Sequence, residues 1–230
     1  MLFSQLQNLT FVSPCRWMAN IQGLSFLKDY PCEVIYNGTD LEVFRPYEAN
    51  DIQPLKNAYG LNGKKIALGV TNVWQQAKGW DDLMNLSEML PDDFRLVMIG
   101  LTDQQLVKPT KNIVGLKRTE NVQELAKWYS LADVFVNPTY VDNFPTTNIE
   151  ALACGTPVVT YNTGGSPEAV DEKTGIVVEQ GNIQQLKLSI ENMANRKEAY
   201  SAECRKRAEM CFDKKDRFEE YVKLFEQLTN

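Results

Sequence analysis

From about residue 64 the sequence alternates between short apolar runs and stretches with helical spacing, and this alternation limits the fold more than any other feature. The runs are KIALGV (65–70), FRLVMI (94–99), NIVGL (112–116), DVFVN (133–137), PVVT (157–160) and GIVV (175–178). Between them, WDDLMNLSEML (80–90), NVQELAKWYSL (121–131) and residues 147–154 place apolar side chains at helical intervals. Near-continuous apolar strands that alternate with helices belong in a parallel sheet covered on both faces. Right-handed crossovers then lead to an α/β fold, a Rossmann-like doubly wound parallel sheet.

The two ends of the chain read differently. Residues 182–194, 196–211 and 214–228 are helical, and Asn182 with Gln185 three positions later has N-cap spacing. The last helix carries Phe218, Tyr221, Val222, Phe225 and Leu228 on one stripe. That stripe either covers the core as an edge helix or docks on a second domain. At the start, LTFVSPCRWMANI reads as a strand running into a helix, and CEVIYNGTDLEVF as a strand ending in an Asn37-Gly38 turn. The polar RPYEANDIQPLKNAYGLNGK that follows is a linker or a helical connection. The expected organisation is a first unit at 1–45, a linker at 46–62 and the α/β domain at 63–230, with the C-terminal helices packing on it.

Composition removes several function classes. Thirty acidic residues against 24 Lys and Arg give a net charge of −6, so no phosphate-backbone footprint is expected and nucleic acid is not an expected partner. The chain has no histidine, which takes away the commonest general base and metal ligand. Five widely spaced cysteines without a C-x-x-C pair read as reduced thiols of a cytoplasmic protein. No signal sequence and no 18-residue apolar window is present. A G-x-G-x-x-G is absent too, against a dinucleotide dehydrogenase.

Ligands of parallel α/β sheets bind outside the carboxyl ends of the strands, and the chemistry-bearing residues fall there. After 65–70, TNVWQQAKGW brings Lys78 and Gly79 to the start of a helix. A mobile ammonium beside a helix N-terminus suits a phosphate; the same pair also describes a solvated loop lysine. After 133–137, DNFPTTNIEALACGTPVV places Asp142 before a helix and Glu150 within it. Carboxylates accept both hydrogen bonds of a vicinal diol. Glu150 also has capping-box spacing from Thr147, and Asp142 alone is a common turn residue. Gly164-Gly165 allows either close backbone approach to a ligand or a plain turn capped by Ser166, with Glu168 at the next helix start. Gly115, Lys117 and Arg118 lie at the end of a strand, where a flat base could rest on the backbone.

Taken together, Pro138, Asp142, Phe144, Glu150-Ala151, CGTPVV at 154–159, Gly164-Gly165, Pro167-Glu168 and Thr174-Gly175 resemble the nucleotide-binding half of family 4 retaining glycosyltransferases, which have the GT-B fold. Asp142 and Glu150 resemble the family's E-x7-E pair, AKGW at 77–80 its phosphate loop, and VIYNGTDLEVFRP at 34–46 the segment joining its two domains. The resemblance implies catalytic roles for Asp142 and Glu150, with Glu150 on the donor's ribose and Asp142 on its sugar. It implies Lys78 and the backbone of Phe144, Pro145, Thr146 and Thr147 on the diphosphate, and Gly115 and Lys117 near the base. The donor would be a UDP- or GDP-sugar, the acceptor a glycan or a lipid-linked sugar of polysaccharide, capsule or lipopolysaccharide assembly, with retention and with no metal or other cofactor required. The sequence departs from the family by an Asp at 142 where Glu is usual, by lacking an arginine before Lys78, and by lacking the catalytic histidine of the family's N-terminal domain. Residues 1–45 would be a remnant of that domain. A non-catalytic nucleotide-sugar-binding module, or a fragment needing a partner chain or a second copy, is the alternative. Membrane contact through the missing domain stays open.

Overall fold

The computed structural model describes residues 6, 8–107 and 112–229. Its central sheet has six parallel strands: β3 (Lys65–Val70), β4 (Phe94–Ile99), β5 (Ile113–Leu116), β6 (Val134–Asn137), β7 (Val158–Tyr161) and β8 (Gly175–Val178). They lie in the order β5-β4-β3-β6-β7-β8. The expected doubly wound α/β sheet is therefore present, and its strand order reverses between β3 and β6. At such a reversal the loops leaving the two strands diverge to opposite faces and open a crevice at their carboxyl ends.

Alternation along each strand feeds two cores. Ile66, Leu68, Val97, Ile99 and Phe135 face one cluster, to which α5 (Val122–Leu131) and α6 (Thr146–Ala153) contribute Trp128, Tyr129, Ile149 and Leu152. Ala67, Leu96, Met98, Val134 and Val136 face the other, closed by Leu83 and Leu86 of α3 (Trp80–Met89) and by Leu186, Ile190 and Met193 of α7 (Ile183–Ala194). Both faces are sealed, which is why these strands can be apolar throughout. Asn182 caps α7 as its spacing predicts, accepting from the Gln185 N–H at 3.0 Å. A short helix α4 (Asp103–Leu106) joins β4 to β5.

The first residues join the same structure. Strand β1 (Phe11–Ser13) pairs in parallel with β2 (Cys32–Val34) around α1 (Arg16–Gly23). Cys15, at the N-cap of α1, is buried in the core on the α5 and α6 face. The stretch read as a linker or helical connection is helical: α2 spans Ala49–Ala58 and accommodates Pro54.

Two local expectations change. Asn37-Gly38 forms no turn; the chain stays extended, and Thr39 bridges to Asp213 ahead of α9 (Lys214–Thr229). Gly38 is needed because a Cβ there would sit 2.5 Å from the Lys214 Cα. Helix α8 (Lys197–Cys211) inserts Cys204 and Ala208 into the core, whereas α9 buries Leu224 and leaves Phe218, Val222, Phe225 and Leu228 exposed. The α9 stripe does not cover this core. Periodicity established an apolar face but carried no information about what lies opposite it.

Candidate functional site

A cleft of about 630 Å³ opens at the strand-order reversal, between the loops leaving β3 and β6. Residues 70–75 form one wall, and Asp142 to Thr147 with Glu150 form the other. The β3 loop is fixed by Trp74, a buried indole whose Nε1 donates to the Ile99 carbonyl at 2.9 Å. Gly79 follows Lys78 at φ +78°, and a Cβ there would lie 2.2 Å from the Pro138 carbonyl oxygen. That contact brings the start of α3 against the β6 loop. The two loops are also stitched by the Tyr140 N–H and the Thr139 hydroxyl, both donating to the Ala77 carbonyl at 2.9 and 3.3 Å. The Tyr140 and Tyr161 hydroxyls donate to Asp82 of α3 at 2.9 and 2.6 Å.

Seven of the nine residues to which the resemblance assigns a role line this cleft: Lys78, Asp142, Phe144, Pro145, Thr146, Thr147 and Glu150. Lys78 Nζ donates to Asp142 Oδ2 at 2.7 Å and to the Val141 carbonyl at 3.2 Å. Helix α6 begins at Thr146 with Pro145 as N-cap and no side-chain cap. The first N–H groups of α6 have no carbonyl one turn back, so they present partial positive charge to the cleft wall. Pro145 has no N–H, and the Phe144 ring is buried among Tyr36 and Phe212. Those two residues therefore shape the wall rather than donate from their side chains.

Glu150 makes no capping box, because the N-cap position has passed to Pro145. Its Oε2 accepts from the Tyr129 hydroxyl at 2.9 Å, and the Thr146 side chain is its other partner. Burial pushes the Glu150 carboxyl above the ordinary carboxylate range, against the pull of these two bonds. Burial and the adjacent carboxylate push Tyr129 well above its usual value, so it remains a donor. Sequence reasoning missed Tyr129, whose partner lies 21 positions away.

A second set of contacts fixes the Asp142 loop from behind. The Asn143 carbonyl accepts from the Gly165 N–H at 2.8 Å and from the Cys15 thiol at 3.2 Å. Gly164 has φ +54°, and a Cβ on it would be 1.8 Å from the Asp142 carbonyl oxygen. The glycine pair thus serves close approach of the protein's own backbone. Ser166 makes no cap; it opens a 3-10 turn with Gly165 at the N-cap. Glu168 accepts the N–H groups of Arg16 and Trp17 at 2.9 and 2.8 Å, and the Tyr36 hydroxyl at 2.9 Å. Burial and the Glu168 carboxylate push Tyr36 up to about 12.

Gly115 and Lys117 stand elsewhere. Gly115 pairs with Met98 inside β5 with Leu101 and Leu106 over its Cα, and Lys117 pairs with Asp103. Neither lines the cleft. Among the described residues no group of three or more His, Cys, Asp or Glu side chains could hold a metal ion, and no helix is long and apolar enough to cross a membrane.

Comparison with known proteins agrees with the fold. A family model described as glycosyl transferases group 1 matches residues 64–196, and the chain belongs to this family. It is 31% identical over 158 residues to the D-inositol 3-phosphate glycosyltransferase of Mycobacteroides abscessus, an alignment that takes in 64% of this chain and 35% of that protein. It is 29% identical over 171 residues to spore coat protein SA of Bacillus subtilis, with 64% and 44% covered. Among solved structures, a glycosyltransferase from Rickettsia africae superposes with a TM-score of 0.86 at 17% identity, covering 97% of this chain and 64% of that one. Anabaena HepE, solved in complex with UDP-glucose, superposes at 0.81 with 19% identity and 98% and 65% coverage. These neighbours are GT-B glycosyltransferases, and the sheet here has their α/β architecture. The chain spans less than half the length of these curated relatives.

Proposed function

We propose that this chain is the donor-binding part of a family 4-like retaining glycosyltransferase that takes a sugar from a UDP- or GDP-sugar. The observation that supports this most is the convergence, in one cleft at the strand-order reversal, of a cation, a helix N-terminus and a carboxylate held by a tyrosine. Each suits one part of a nucleotide sugar. Glu150, oriented by Tyr129, accepts from the two ribose hydroxyls. The N–H groups of Phe144, Thr146 and Thr147 and the Lys78 ammonium face the diphosphate. Asp142 meets hydroxyls of the transferred sugar. Donors aimed at the leaving diphosphate lower the barrier to its departure, which is how such a site would speed transfer. A uridine donor draws support from the HepE complex with UDP-glucose, and the acceptor would be a glycan or a lipid-linked sugar.

The division into a first unit at 1–45, a connection at 46–62 and a donor domain at 63–230 belongs to the same proposal. So does a second reading, a nucleotide-sugar-binding module that becomes an enzyme only with a partner chain. Thermal denaturation with UDP, GDP and their sugars tests the binding common to both readings: a raised Tm is expected. Absence of a shift with every one of them would refute both. Release of labelled sugar from UDP-glucose by the purified chain separates the enzyme from the module.

A further inference from the structure

Lys78 and Asp142 are assigned to adjoining parts of the donor, its diphosphate and its sugar, and they also bind each other. Their side chains are 31% and 21% exposed and meet at 2.7 Å, with Lys78 also holding the Val141 carbonyl. Asp142 cannot swing away by moving its backbone. The next carbonyl, of Asn143, is held by Gly165 and Cys15, and Gly164 leaves no space beside the Asp142 carbonyl. Any phosphate that reaches the Lys78 ammonium therefore also lies near the Asp142 carboxylate.

We propose that Asp142 is a specificity-determining residue that makes the cleft prefer a nucleotide sugar over the bare nucleoside diphosphate left after transfer. The proposal rests on the nucleotide-sugar reading above. In the nucleotide sugar the distal phosphate is a diester with one negative charge. In the nucleoside diphosphate it is a terminal phosphate, joined only through the anhydride, that carries about −1.5 to −2 near pH 7, its second ionisation lying near 6. The carboxylate repels the second species more strongly. It also gains from the first, because sugar hydroxyls donate to it while nothing in the product does. Lys78 alone would favour the more highly charged product, and its pairing with Asp142 reverses that preference. The missing arginine ahead of Lys78 strengthens the effect, since Asp142 then opposes a single cation.

The test is calorimetric titration of the full chain with UDP, UDP-glucose and uridine, with the guanosine series in parallel, for wild type, Asp142→Asn and Asp142→Glu. At about pH 8, Asp142→Asn is expected to tighten UDP about two- to fivefold, the worth of a half-exposed ion pair. It is expected to weaken UDP-glucose and leave uridine unchanged. The gain for UDP should shrink at about pH 5, where the terminal phosphate takes up a proton. Asp142→Glu keeps the charge and should keep the preference, which guards against a folding defect in the amide variant. If wild type binds UDP and Asp142→Asn leaves the ratio of UDP-glucose to UDP affinity unchanged, the discrimination is wrong while the nucleotide-sugar reading stands. If wild type binds no compound of either series, both fall.

Discussion

Replacing Glu150 by alanine separates a ligand-binding carboxylate from a structural one, because the two roles predict different losses. As a ribose acceptor Glu150 makes charge-assisted hydrogen bonds whose combined net loss is put at about 1.5–3 kcal/mol, so Kd for UDP should rise about tenfold to 150-fold. The fold should also weaken, because the Tyr129 hydroxyl, on a fully buried residue, loses its partner. An orphaned buried donor costs about 1–3 kcal/mol. The lower end is expected, since the raised pKa of Glu150 means that burial already works against its charge. Adding Tyr129→Phe removes the orphan and should restore most of the Tm without restoring affinity. Calorimetry with UDP and denaturant unfolding of the single and double variants measure both quantities. Unchanged UDP affinity in Glu150→Ala, with stability lost and then recovered in the double variant, would refute the ribose role and leave Glu150 as Tyr129's partner only. The pH dependence gives a second readout. The folded carboxyl holds its proton more tightly than the unfolded one, so between the two pKa values stability declines as pH rises. Uridine, which has no phosphate to titrate, should bind weakly at acid pH and more tightly as pH climbs through the raised folded value. Glu150→Gln should flatten both profiles.

Two other substitutions probe the remaining parts of the cleft. Lys78→Ala should weaken UDP about tenfold, near the lower end of a charge-assisted bond because Asp142 already balances the ammonium, and should leave uridine affinity unchanged; equal losses for both ligands would contradict a phosphate role. Gly164→Ala forces a Cβ against the Asp142 carbonyl at positive φ and should cost about 1–3 kcal/mol in stability, with a larger loss for UDP-glucose than for uridine; an unchanged Tm would show that the loop is not held there.

The sheet was legible because its signal is local. The runs at 65–70, 94–99 and 175–178 are strands β3, β4 and β8 residue for residue. Strands β5 and β6 each begin one residue later than expected, and β7 is displaced by one residue at both ends. Placement of the cleft residues followed, because each sits just past a strand. The partners did not follow. Lys78 and Asp142 are 64 positions apart, Cys15 and Asn143 are 128 apart, and Glu168 reaches Arg16 across 152. Only the assembled fold creates those contacts. Local rules also misled where two of them competed for the same residues. Thr147 and Glu150 have capping-box spacing, but Pro145 supplies a fixed φ at the N-cap position and starts the helix one residue early, so Glu150 goes to Tyr129 instead. Asn37-Gly38 has the composition of a turn, yet its glycine is used for close approach to Lys214.

The wiring behind the cleft explains why the first forty-five residues cannot be treated as a passive appendage of the sheet. Glu168 satisfies the first N–H groups of α1, where its charge also meets the positive end of the helix. Cys15, one residue earlier, shares the Asn143 carbonyl with Gly165. Tyr36 closes the arrangement by donating to Glu168 and packing its ring at a tilt against Phe144, two residues after Asp142. A displacement of α1 would thus remove one of the two donors to the Asn143 carbonyl and disturb the Glu168–Tyr36 contact behind Phe144, and both flank the carboxylate that faces Lys78. The position of Asp142 depends on a segment more than a hundred residues away in sequence. A force on that segment has a short and well-packed route to the cleft.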